Sequence, residues 1–179
     1  MAEAADDLPL VGLPPVVGPK TKVLVLGSFP GVASLKAVQY YGHPQNHFWK
    51  ILAALWPGHP LPDRADYAGR CQWLLDRQLG IWDVYAACER EGSLDANIRN
   101  AKVNDFAALQ RQLPQLAAIA HNGGESFRHA KAVRKSMALH DDDRIASLRL
   151  PSTSPANASW SFEKKLNAWR EALASYGLV

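Results

Sequence analysis

Lys22-Val23-Leu24-Val25-Leu26-Gly27-Ser28, running on into Phe29-Pro30-Gly31, decides how this chain reads. A short, unbroken aliphatic run that stops at a glycine- and proline-rich turn is the pattern of a strand buried on both faces. Segments 79–85, 116–122 and 147–154 read the same way. Helical stripes lie between and after them. Phe48, Ile51, Leu52 and Leu55 recur at three and four after Pro44; Tyr67, Cys71, Leu74 and Leu75 form a second stripe. Phe106, Leu109 and Leu113 form a third that stops at Pro114, and Phe162, Leu166, Trp169 and Leu173 mark a closing helix. Strands alternating with helices predict right-handed crossovers, hence an α/β fold of three layers, α/β/α, around a central four-stranded parallel sheet.

At 179 residues the chain has the length of one domain, enough to bury roughly 70% of its unfolded surface. Residues 1–19 hold three acids, four prolines and no basic residue. They read as an extended leader, ordered only where Leu8, Leu10 or Val11 meets a surface, with a single domain over 20–179. The whole chain carries a formal +3. Without the leader, 20 basic residues stand against 14 acidic ones, or +6. That is too mild for a polybasic binder and enough for a modest anion-facing surface. Two cysteines, Cys71 and Cys88, cannot supply an iron–sulfur cluster or an all-cysteine zinc site. They read as free thiols of a reducing compartment. The acidic start is unlike a signal peptide, and no apolar run approaches the roughly 20 residues that span a bilayer. A cytoplasmic protein with no membrane association is expected. The acidic run 141–143 reads as a solvated turn, and the histidines show no metal-binding spacing; no metal and no cofactor are expected.

In an open parallel sheet, ligands bind beyond the carboxyl ends of the strands. Here those ends read Gly27-Ser28-Phe29-Pro30-Gly31, Trp82-Asp83-Val84-Tyr85, His121-Asn122-Gly123-Gly124 and Pro151-Ser152-Thr153-Ser154-Pro155-Ala156-Asn157. Four polar, turn-rich ends converging on one edge describe a site. After the first comes Tyr40-Tyr41-Gly42-His43-Pro44-Gln45-Asn46-His47-Phe48-Trp49. Tyr41 can stack on a planar ring. Asn46 carries a carboxamide that can hold a water or, equally, cap the helix that follows. Asp83 can accept from a ring N–H, or serve as an N-cap or the partner of a nearby arginine.

The first motif, the His43–Trp49 stretch and the last motif together resemble the uracil-DNA glycosylase superfamily, and within it the hypoxanthine-DNA (deoxyinosine) glycosylase branch. Cys88-Glu89-Arg90-Glu91-Gly92-Ser93-Leu94-Asp95 is similar to that branch's middle segment. The resemblance spans about Lys22 to the closing helix. It implies a DNA glycosylase that flips a deaminated base out of the duplex and reads it in a pocket. Tyr41 matches the stacking position, Asp83 a base-contacting position, and Asn46 the residue that positions water. Gly27, Ser28, Phe29 and Asn122 are expected around the base. Ser152, Thr153, Ser154, Pro155 and Asn157 are expected to form the DNA-facing loop, where hydroxyls and backbone N–H groups suit phosphates.

The chain departs from better-known relatives at two places. Phe29 stands where mismatch-type uracil/thymine enzymes carry asparagine, and an apolar ring cannot orient water. The last motif lacks the His-Pro-Ser start that sets a histidine against uracil. Both departures shift the expected water-holding role to Asn46. No lysine falls in the matched catalytic motifs, so a monofunctional enzyme working as a monomer on damaged DNA is expected. Uracil excision of the G/U mismatch type and a non-catalytic damaged-DNA or nucleotide-binding domain are the alternatives. A small-molecule hydrolase using Ser28 and His43 lacks a nucleophile elbow.

Overall fold

The computed structural model describes residues 9–139 and 144–179. In chain order its elements are β1 (Leu10–Val11), β2 (Val23–Gly27), α1 (Val32–Ala37), α2 (Phe48–Leu55), α3 (Tyr67–Asp76), β3 (Leu79–Asp83), β4 (Tyr85–Glu89), β5 (Arg99–Val103), α4 (Phe106–Gln110), β6 (Ala118–Asn122), α5 (Gly124–Phe127), α6 (Ala130–Ser136), β7 (Ala146–Leu150) and α7 (Phe162–Ala174). The acidic run 141–143 lies outside the described residues.

The sheet forms because its strands have no polar face to offer water. All five residues of β2, β3 and β6 are buried, which suits a sheet covered on both sides. The strand order is β3-β2-β6-β7, and every pair is parallel. Helices α2 and α7 pack on one another, α7 lies against β7, and α3 lies against β3. Helix α5 covers β2, β6 and β7, and α6 packs on α4. The result is the three-layer α/β/α arrangement with a central four-stranded parallel sheet. From β2 the chain steps first to β3 and later back past β2 to β6, so the order reverses beside β2. Register puts Gly27 opposite Asp83, and Asn122 opposite Leu150, along one edge.

Three strand boundaries fall short of the sequence reading by two residues or more; β6 starts at Ala118 rather than 116. The last strand ends at Leu150 rather than 154, because Pro151 brings no N–H to the ladder and Ser152 and Ser154 turn the chain with their own hydroxyls. The second parallel strand ends at Asp83 rather than 85. Val84 and Tyr85 donate to the carbonyls of Gly27 and Ser28, and the chain then leaves for a second sheet. That antiparallel sheet, β1-β4-β5, was not visible in the sequence. β5 is Arg-Asn-Ala-Lys-Val and exposed throughout, so it has no apolar alternation to betray it.

Part of the segment before Lys20 is pinned down. Leu10 and Val11 pair with Cys88 and Ala87, and Val16 bridges to Ile81. The Tyr40 hydroxyl donates to the carbonyls of Leu13 and Pro14, and Trp82 Nε1 donates to Leu13. No described helix is long and apolar enough to cross a membrane.

Candidate active site

A cavity of about 710 Å³ opens at the carboxyl edge of the parallel sheet, beside the strand where the order reverses. Gly27, Ser28, Phe29, Tyr41, Asn46, Asp83, Asn122, Ser152, Thr153, Ser154, Pro155 and Asn157 all line it. The turns that follow β2, β3, β6 and β7 thus meet around one space.

Tyr41 stands at φ +54°, a left-handed conformation that a bulky residue adopts only under local constraint. One face of its ring stacks on Phe48 with centroids 3.9 Å apart. Asn122 Nδ2 donates to the Tyr41 hydroxyl at 3.2 Å and to Thr153 Oγ1 at 3.0 Å. Asn122 Oδ1 accepts from the Thr153 N–H at 3.0 Å. With both ends of its amide engaged, Asn122 ties Tyr41 to the last motif across the end of β6.

Asp83 is the electrostatic oddity of the site. It is 5% exposed and makes no side-chain hydrogen bond among the described residues, and its Oδ2 is fully buried without a partner. Neither the arginine partner nor the N-cap role is realised. Burial first, and the Asp95 carboxylate second, push its pKa up to about 7, against an opposing pull from Arg90. Gly27 makes room for it: a Cβ there would sit 2.5 Å from Asp83 Oδ1. Around it, Ser28 Oγ donates to Asp95 at 2.6 Å, and the Arg90 guanidinium lies 5.3 Å above the Phe29 ring while donating to Pro30 O and Gly92 O. Phe29 is a buried apolar wall.

Asn46 stands one residue before His47, the N-cap of α2, and lines the cavity; its Oδ1 accepts from the N–H of Phe48, the first helical residue, at 3.0 Å and so braces the helix start. A carboxamide oxygen has two lone pairs, so that bond leaves one for a water. The neighbouring His47 donates its N–H to Thr153 O at 3.0 Å. The last motif braces itself: Asn157 Nδ2 donates to Ser152 O, and Asn157 N to Ser154 O.

Several residues of the site were not picked out from sequence. Asp95, Ser93 and Leu94 line the cavity; they sit in the Cys88–Asp95 segment, whose sequence motif by itself assigns them no roles. Arg149, exposed at the end of β7, and Trp160, 41% exposed, lie on the rim. Lys165 is buried behind the last motif; its signal was a lysine standing in an apolar stripe, three after Phe162 and four before Trp169. Among the described residues no three His, Cys, Asp or Glu side chains converge as a metal site. What the geometry can do is hold a flat ring against Tyr41, meet a ring N–H with Asp83, and place a water near Asn46.

The chain is similar to known proteins along most of its length. A sequence model of the Uracil DNA glycosylase superfamily matches residues 14–174. A hypoxanthine DNA glycosylase of Methanosarcina barkeri is 35% identical over 161 residues, 90% of this chain and 96% of that protein. One of Methanosarcina acetivorans is 35% identical over 150 residues, 84% and 89% of the two chains. The solution NMR structure of a candidate uracil DNA glycosylase from Methanosarcina acetivorans superposes with a TM-score of 0.73 at 31% identity, covering 92% of this chain and 98% of that one.

Proposed function

Because the chain belongs to the uracil DNA glycosylase superfamily, we propose that it is a monofunctional DNA glycosylase that excises deaminated bases, chiefly hypoxanthine, by water attack on the N-glycosidic bond in DNA repair. The relatives that share 35% of its residues over most of its length are hypoxanthine DNA glycosylases. The observation that carries the reading is Asp83, a buried carboxyl with an unpartnered oxygen at the cavity that Tyr41 and Asn46 also line. A buried polar atom without a partner is rare in a folded protein, which marks Asp83 as a residue kept for binding rather than for packing.

The flipped base lies against the face of Tyr41 that Phe48 leaves open. Hypoxanthine presents a lactam edge, N1–H beside O6. Asp83 Oδ1, the oxygen beside Gly27, meets this edge: ionised it accepts N1–H, and in its acid form it donates to O6. As the bond from C1′ to N9 breaks, electron density moves into the base and onto O6, where an O–H donor in a dry pocket counts for most. The water takes its place on the sugar side, one proton directed at Asn46 Oδ1, and its oxygen bonds to C1′ as the base leaves with a proton. Among the described residues no lysine lines the cavity, so the product is an intact abasic site. We place the enzyme in the cytoplasm, acting as a monomer on DNA that contains a deaminated base.

Uracil shows the same lactam edge, N3–H beside O4, so a second reading is uracil excision. Phe29 argues against making it the chief activity, since it lines the pocket with an apolar ring that cannot orient a water. Labelled duplexes holding a single inosine, uracil or xanthine, incubated with the protein and then treated with alkali, decide between them. Cleavage strongest on the inosine duplex and dependent on alkali is expected. Cleavage without alkali, or borohydride trapping of a protein–DNA adduct, contradicts the monofunctional mechanism; no cleavage of any duplex leaves only a binding domain.

A further inference from the structure

Behind the last motif, outside the cavity, lies a fully buried cation that the reaction above does not use. Lys165 on α7 is 1% exposed, although its neighbours Lys164 and Glu163 face solvent. Its Nζ lies 3.3 Å from Ser154 O and 3.3 Å from His47 Nδ1. No carboxylate among the described residues pairs with it. Removing an ammonium from water without a counter-charge is strongly unfavourable, and an apolar side chain of the same size is commonly as stable or more so in such a place. Stability therefore does not explain this lysine.

Its two acceptors do. His47 is the residue after Asn46, and Ser154 is the centre of the last motif. We propose that Lys165 is a positioning residue for base excision, its buried ammonium fastening the DNA-facing loop 151–157 to the turn that carries Asn46. The proposal rests on the glycosylase reading of the site. The clasp has three strands: Lys165 to Ser154 O, Lys165 to His47 Nδ1, and the His47 N–H to Thr153 O. Trp169, one turn further along α7, donates Nε1 to Pro151 O and holds the start of the same loop. Because Lys165 can only donate, His47 accepts at Nδ1 and carries its proton on Nε2. The ring is held edge-on to Phe162 with centroids 5.2 Å apart. Burial first, and then the charges facing His47, Lys165 from α7 and Lys50 from α2, hold its pKa below the ordinary value.

The test is Lys165→Met, which keeps the length of the side chain and deletes the donor. A misplacement of about 1 Å between reacting groups lowers rates by up to about a hundred-fold, so the single-turnover rate on an inosine duplex is expected to fall about ten- to a hundred-fold. Thermal stability is expected to be equal or higher, and duplex Kd nearly unchanged. In parallel, 15N NMR of the His47 ring is expected to show the Nε2–H form in the wild type, with its titration midpoint moving up in the variant. An unchanged rate overturns the proposal, and so does a His47 ring whose tautomer and titration ignore the substitution. If Lys165→Met does not fold, His47→Gln, which removes the Nδ1 acceptor while leaving Lys165 on Ser154, is expected to slow excision in the same direction by a smaller factor; no slowing overturns the proposal. Absence of excision by the wild type refutes the glycosylase reading instead, and leaves the His47 measurement to judge the clasp.

Discussion

Asp83→Asn keeps the outline of the side chain and removes its titration. In the folded protein the carboxyl ionises near pH 7 because burial and Asp95 disfavour the charge; in the unfolded chain it ionises near 3.8. A raised acid pKa means the fold holds the proton more tightly than the unfolded chain between those two values. Its contribution therefore favours the fold at low pH, weakens as pH rises from about 3.8 to about 7, and is constant above that. At about 1.4 kcal/mol per pH unit, the full window amounts to about 4 kcal/mol. Between pH 5 and pH 8.5 the remaining loss is about 3 kcal/mol. Wild-type stability alone does not display this, because His121 works in the opposite sense. Fully buried, its pKa is pushed down to about 4, so protons bind the unfolded chain first and stability falls as pH drops from 6.5 towards 4. The difference between variant and wild type cancels His121. Urea denaturation of both proteins at pH 5 and pH 8.5 is the assay. The advantage of Asp83→Asn over wild type is expected to grow by about 3 kcal/mol from the lower to the higher pH. A change below about 1 kcal/mol refutes the reasoning, since it means Asp83 titrates as a hydrated carboxylate.

Other consequences follow from the same contacts. Gly27→Ala brings a methyl to 2.5 Å from Asp83 Oδ1 and forces that short side chain out of place; excision from an inosine duplex is expected to fall about ten-fold or more while the thermal midpoint moves little. Asn122→Ala strips partners from the Thr153 N–H and hydroxyl and from the Tyr41 hydroxyl; a loss of about 2–3 kcal/mol in denaturation is expected, together with reduced excision. His121 Nδ1 lies 2.7 Å from Ser126 Oγ, whose own proton goes to Leu26 O. Its ring is therefore expected as the neutral Nδ1–H form down to about pH 4, and an NMR titration midpoint near 6.5 contradicts that assignment.

The parallel sheet was readable because burial on both faces leaves an unmistakable run, as in Val23–Gly27. The same rule made β5 unreadable, since an exposed edge of Arg-Asn-Ala-Lys-Val carries no burial signal. In the site, the turn residues and Tyr41 stood out because unusual residues cluster at strand ends. The engagement of Asn122 with Tyr41 and Thr153, far apart in sequence, depends on strand order that composition does not encode. The pKa of Asp83 depends likewise on Asp95 and Arg90 arriving from the second sheet's loop. Lys165 lay in plain view as a charge in an apolar stripe, but only the fold shows the two acceptors it reaches.

On the proposed mechanism, the cavity at the strand ends hydrolyses the bond between sugar and hypoxanthine with a water held by Asn46. The direct measurement is mass-spectrometric detection of free hypoxanthine released from an inosine duplex in single turnover, by wild type and by Asn46→Ala. Losing the hydrogen bond to the Phe48 N–H destabilises the variant by about 1 kcal/mol, which leaves a folded protein to compare. Stoichiometric hypoxanthine from the wild type and a rate about a hundred-fold or more lower in the variant, at similar duplex affinity, is the expected result. No hypoxanthine from the wild type, or an Asn46→Ala protein as fast as it, contradicts the account.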